Sequence, residues 1–154
     1  LIPHRPALIA RASLLITTLW VGSLWAIGYL AAPTLFATLF DRVLAGTVAG
    51  SLFHSEAYLS VACGVALLSL QFRSAKRRTL ILIAAMLLCT VVGYFGLQPY
   101  MAELRAQLHE AAGPSGVMAS AAHQQFAVLH GVSMVIYLIE RLLGAWLILK
   151  IAEN

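Results

Sequence analysis

The sequence predicts an all-α integral membrane protein, a four-helix bundle, and three observations lead there. Of its 154 residues, 61% are hydrophobic and only 10% charged, too apolar for a soluble domain of this length. The apolar residues fall into four stretches, each about the 20 residues or more that a helix needs to cross the hydrocarbon core. The basic residues gather at alternate ends of these stretches, the pattern that orients a chain in a bilayer. Four spans use up the chain, so residues 1–154 are read as a single transmembrane domain.

The first span is expected over residues 8–38, with Arg5 and Arg11 at its start and Pro33 near its far end. Its apolar stretch is long and carries Trp20, Trp25 and Tyr29, so it reads as a retained helix rather than a signal peptide. A short polar break at Asp41-Arg42 precedes the second span, residues 45–72, and Asp41 is expected to cap its first turn. The third span is expected over residues 79–98. Beyond it Pro99 should kink the exit, and an amphipathic extension, residues 100–112, should lie on the membrane surface or cover the bundle. Gly113-Pro-Ser-Gly116 signals a turn, and the fourth span follows over residues 122–151.

Orientation follows from the lysines and arginines. Seven lie on one side (Arg5, Arg11, Arg73, Lys76, Arg77, Arg78 and Lys150) and two on the other (Arg42 and Arg105). The positive-inside rule then puts both termini in the cytoplasm of a bacterium, with the chain in its inner membrane. The net charge of +4 is accounted for by this bias, and no nucleic-acid partner is expected. Cys63 and Cys89 fall within apolar stretches and read as packing residues, with no disulfide. Paired small residues such as Gly46 and Gly50 suit close helix packing. No convincing internal repeat is found.

Three groups of residues carry chemical interest. Asp41, His54 and Glu56 near the start of the second span, with His109, His123 and His130 near the third connection, are expected close to one membrane surface. His123 and His130 share a helix face, and His54 from a neighbouring helix would make metal or haem ligation geometrically possible. Bonding to water and headgroups is the preferred reading, and no cofactor is predicted. Glu140 and Arg141 fall near the bilayer centre, where an isolated charge costs on the order of 3 kcal/mol. Successive helical residues point about 100° apart, so the pair does not simply face itself. Three readings stand equal: a neutral Glu140 with a snorkelling Arg141, a polar cavity in the bundle, or contact with another subunit. The aromatic residues read as packing and interfacial anchors. No nucleophile and base at a recognised spacing, no phosphate-cradling loop and no paired carboxylates on one helix face are present, so no catalytic residues are named.

Leu19-Trp-Val-Gly-Ser-Leu-Trp-Ala-Ile-Gly-Tyr-Leu-Ala-Ala-Pro-Thr-Leu-Phe36 and Ala45-Gly-Thr-Val-Ala-Gly-Ser-Leu-Phe53 together resemble the bacterial membrane-protein family of unknown function 4149. Pro99-Tyr-Met, Arg105 and Phe126-Ala-Val-Leu-His-Gly-Val-Ser133 look like segments of that family and of its eukaryotic relatives of the transmembrane protein 205 type. The resemblance implies a four-helix membrane fold and carries over Pro99, His130 and Gly131 as motif residues, while Glu140-Arg141 and His54-Ser-Glu56 fall outside the pattern. A fainter likeness to four-helix copper-resistance and haem-pathway proteins is architectural only. The sequence thus leads to a non-catalytic accessory or structural subunit of a larger inner-membrane complex, with membrane-protein partners at Glu140 and Arg141. The alternative is a small transporter or redox protein binding metal or haem through His54, His123 and His130.

Overall fold

The computed structural model describes residues 5–72, 76–110 and 116–152. The chain forms α1 (Arg5–Trp25), a π-helical turn (Ala26–Ala31), α2 (Ala32–Thr38), α3 (Arg42–Gln71), α4 (Arg77–Thr90), a second π-helical turn (Val91–Gly96), α5 (Leu97–Glu110) and α6 (Gly116–Ala152). Each π-helical turn joins its flanking helices into one rod. Four rods are therefore long and apolar enough to cross a membrane: Ala7–Thr38, Arg42–Gln71, Arg77–Leu104 and His123–Ile151.

The ends of the rods differ from expectation for local reasons. α3 begins three residues early because Asp41 Oδ1 accepts hydrogen bonds from the amides of Val43 (2.8 Å) and Leu44 (3.1 Å), fixing two of the amides that a helix start leaves open. The third rod does not stop before Pro99. A proline ring clashes with the carbonyl one turn back and offers it no N–H, and the wider π-helical turn just ahead, Val91–Gly96, makes room for that defect. Pro33 follows Ala26–Ala31 in the same way. Residues 111 and 112 of the expected extension, Gly113 to Ser115 of the expected turn, and Arg73 of the basic run lie outside the described residues.

The rods close a ring in which α1 packs on α3, α3 on α4, α4 on α6, and α6 on α1. α3 and α6 thus stand diagonally opposite, as do α1 and α4. In the half nearest the 72–76 connection the ring is filled by Trp20, Val21, Leu24, Cys63, Leu67, Ile83, Met86 and Leu147. Gly144 lets α6 approach closely there, since a Cβ on it would lie 2.8 Å from Val21 and 3.1 Å from Met86, the small-residue contact that lipid-embedded helices use. The outward faces are apolar: Leu15 is 71% exposed, Leu30 68% and Val128 66%. Such a surface suits lipid and not water.

Candidate functional site

The other half of the bundle is not filled, and its polar groups converge. Glu56 is the fifteenth of the 30 residues of α3, so it lies at mid-helix and not near the surface, where the sequence reading put it beside His54. Only 3% of it is exposed. Its Oε1 accepts from Ser23 of α1 (3.2 Å) and from Ser60 one turn along α3 (3.1 Å), while Ser60 in turn accepts from the indole N–H of Trp20 (2.7 Å). Its Oε2 is buried without a partner. An isolated charge at this depth costs on the order of 3 kcal/mol, and donors on one oxygen meet only part of the group's needs.

Glu140 and Arg141 are buried as well, at 3% and 8% exposure, and they part company as their spacing requires. Glu140 turns to α4, where the Thr90 hydroxyl donates to its Oε1 at 2.6 Å. Arg141 turns to the first rod. Its guanidinium lies 4.5 Å from the Tyr29 ring centre and 4.1 Å from that of Tyr137, and its Nε donates to the Tyr137 carbonyl. Cation–π contacts strengthen where water is excluded. Gly28 makes room, for a Cβ there would meet Arg141 Nη1 at 2.7 Å and Tyr137 Cε1 at 2.8 Å. Tyr137 is pinned by its hydroxyl, which donates to the Leu24 carbonyl (2.9 Å) just ahead of the first π-helical turn. Of the three readings open for this pair, the geometry is that of a polar interior. Both residues find partners within the chain.

Between α3 and α6 lies a cavity of about 210 Å³ with Glu56 and Glu140 in its wall. Its lining comes in pairs at one constant separation along the chain: Gly46 with His130, Ala49 with Ser133, Gly50 with Met134, Phe53 with Tyr137, and Glu56 with Glu140. Phe53 and Tyr137 meet edge to face across the diagonal, their ring centres 5.4 Å apart. The first and third rods match too. Gly28-Tyr29 and Gly93-Tyr94 occupy the two π-helical turns, each followed by a proline. Buried Ser13, Thr17, Trp20 and Leu24 correspond to buried Thr79, Ile83, Met86 and Thr90, again at one separation. The buried faces of the two helix pairs therefore carry matching spacings around the cavity, with the Gly-Tyr pairs of the first and third rods one residue out of that register, a likeness that the sequence reading did not find.

A polar groove adjoins this cavity and shares Gly46, Gly50 and Tyr94 with it; its remaining wall is Thr47, Ser51, His54 and Ser55 of α3. A Cβ on Gly46 or Gly50 would meet nothing within 4 Å, so the glycines leave space where groove and cavity join. His54 Nδ1 and the Tyr94 hydroxyl share a hydrogen bond at this junction. His130 stacks on Phe126 with ring centres 6.0 Å apart and lines the cavity although it is exposed, and His123 is exposed as well. Among the described residues no three His, Cys, Asp or Glu side chains converge as a metal set would. His54, His123 and His130 are not brought together. Cys63 and Cys89 are free thiols. Pro99 is exposed after its π-helical turn, and Gly131 is exposed beside His130.

A family model described as a domain of unknown function, DUF4149, matches residues 15–110. The chain belongs to this family. The match begins inside α1 and takes in the rest of the first rod, the second and third rods, Glu56, both π-helical turns and Pro99, and it ends before His130, Gly131, Glu140 and Arg141. No curated protein matches the chain. No solved structure matches it either.

Proposed function

We propose that this DUF4149 protein is a small multi-pass carrier that binds a ligand inside the membrane, in the cavity between α3 and α6. One observation carries the reading: two buried carboxyl groups, Glu56 and Glu140, occupy equivalent places in a cavity of about 210 Å³. Burying such groups is expensive, and membrane proteins that keep them at mid-span commonly use them on a substrate or ion path. Two matching helix pairs about a central site also suit a carrier, because one half can rock against the other around a fixed ligand. The Lys and Arg bias supports a reading with both termini in the cytoplasm of a bacterial inner membrane, and in that orientation the cavity lies in the periplasmic half. A kinship with the transmembrane protein 205 type belongs to the same proposal, resting on Pro99-Tyr-Met and Phe126 to Ser133.

The accessory-subunit reading drew on midplane charges with no partner in the chain, and Thr90, Tyr29 and Tyr137 now fill that role. The metal or haem reading keeps His54 and His130, one on the groove and one on the cavity wall. One preparation separates the three. Wild type and Gly50→Leu, whose side chain would fill the open junction, are purified in mild detergent and weighed intact, with metal analysis and a visible spectrum. A small-molecule adduct on wild type that Gly50→Leu loses supports the carrier. Equal masses with a reproducible partner subunit would replace it with the accessory reading, and stoichiometric metal or haem with the histidine reading.

A further inference from the structure

We propose that the ligand of this cavity is a lipophilic organic cation carrying a single positive charge, held between Glu56 and Glu140 and the rings of Phe53, Tyr94 and Tyr137. This inference rests on the carrier reading and names its substrate class. Charge comes first. When both carboxyl groups ionise, Arg141 balances one of them from its seat against Tyr29 and Tyr137, and a bound monovalent cation balances the other; in the absence of that cation a proton on either carboxyl group does the same. An anion would oppose both carboxyl groups, and a neutral ligand would draw nothing from their charge.

The polar atoms agree. Glu56 is a wall residue of the cavity, only 3% exposed, and its Oε2 has no hydrogen-bond partner among the described residues. That oxygen is covered by the wall, and a donor or a positive charge brought to the carboxyl group would satisfy it. The shape then selects among cations. A small hard metal ion wants a shell of six or more oxygens at close range, but apart from its carboxyl groups this wall is mostly apolar, with Leu24, Phe36, Met101 and Ile136 among its residues. About 210 Å³ is room for a hydrocarbon cage and not for a bare ion. Aromatic faces beside carboxylates are the usual surroundings of an alkylammonium group. The His130 ring, also in the wall, lies parallel to that of Phe126.

The test uses one hydrocarbon cage with three charges: 1-adamantylammonium, 1-adamantanol and 1-adamantanecarboxylate, each measured by equilibrium dialysis against the full chain in lipid nanodiscs at neutral pH. The expected result is saturable binding of the ammonium at least tenfold tighter than the alcohol, no saturable binding of the carboxylate, and at least a tenfold loss in Glu56→Gln. Phe53→Leu, which keeps both carboxyl groups, should weaken the ammonium several-fold and so reports on the site should Glu56→Gln fail to fold. Alcohol or carboxylate binding as tightly as the ammonium would overturn the cation assignment and leave the carrier reading standing. Failure of all three to saturate would overturn both.

Discussion

Gly28 is where the buried arginine depends most visibly on a missing side chain. A Cβ at this position would lie 2.7 Å from Arg141 Nη1, 2.9 Å from its Cζ and 2.8 Å from Tyr137 Cε1. Gly28→Ala therefore forces the guanidinium out from between Tyr29 and Tyr137 or pushes the Tyr137 ring, whose hydroxyl is tied to Leu24. Overpacking of this kind costs roughly 1–3 kcal/mol, and a displaced buried cation–π contact adds about 1–2 kcal/mol. Replacing glycine within a helix gives back about 0.5–1 kcal/mol. A net destabilisation of about 2 kcal/mol is expected, read as a shift in the unfolding midpoint when sodium dodecyl sulfate is titrated into mild-detergent micelles.

A double-mutant cycle makes the reasoning specific. In an Arg141→Met background the flexible thioether can move aside, so Gly28→Ala should lose about half of its cost, leaving a coupling on the order of 1 kcal/mol. Independent sites add within about 0.3–0.5 kcal/mol. Additivity within that margin would refute the claim that Gly28 exists to seat Arg141, as would a Gly28→Ala protein as stable as wild type.

Three further perturbations probe the remaining polar contacts. Ser60→Ala leaves the Trp20 indole N–H without its acceptor and Glu56 Oε1 with Ser23 alone, so it should destabilise by about 1–3 kcal/mol; the same unfolding titration reads it, and a change under 0.5 kcal/mol would contradict the network. Thr90→Val leaves Glu140 Oε1 without its donor and should cost about 1–3 kcal/mol, while Thr90→Ser restores most of it. Asp41→Ala unties the two amides at the start of α3 and should cost about 1 kcal/mol, with hydrogen exchange quickening at Val43 and Leu44 and not at Glu56.

The four rods were legible because lipid demands long uninterrupted apolar helices, and that demand is written in composition alone. Asp41 was legible for a similar reason: a short acceptor ahead of an apolar run has one obvious use. A helix carried on past Pro99 with a kink was legible too, but the π-helical turn upstream that makes room for the proline was not, since no residue pattern announces it. Glu56 was misplaced because it was grouped with His54 near the surface, although its distance from Asp41 is about half a span. The likeness of the two halves was not legible because they share few identical residues. They share roles: a glycine-tyrosine pair at a π-helical turn, an aromatic ring three residues ahead of a carboxyl group, and a small residue four beyond it, Ser60 or Gly144. Lipid-facing positions between these are free to drift.

The departures from that likeness of the two helix pairs say more about the cavity than the likeness itself. Where α3 has Ala57 after its carboxyl residue, α6 has Arg141; where α6 has Gly144, α3 has Ser60; and Glu56 has Ser23 and Ser60 as donors while Glu140 has Thr90. One charge was thus added on one side only, with its aromatic seat built from Tyr29, Tyr137 and the space over Gly28. A structural bundle gains nothing from this, since apolar residues at Glu56, Glu140 and Arg141 would remove three buried polar groups and their desolvation cost. Two acids and one base at the same depth, with the base outside the cavity wall, are balanced either by a proton on one acid or by a cation bound beside them. A bundle built only to be stable needs neither acid, and an exchange of proton for cation is the use that the proposed site gives them.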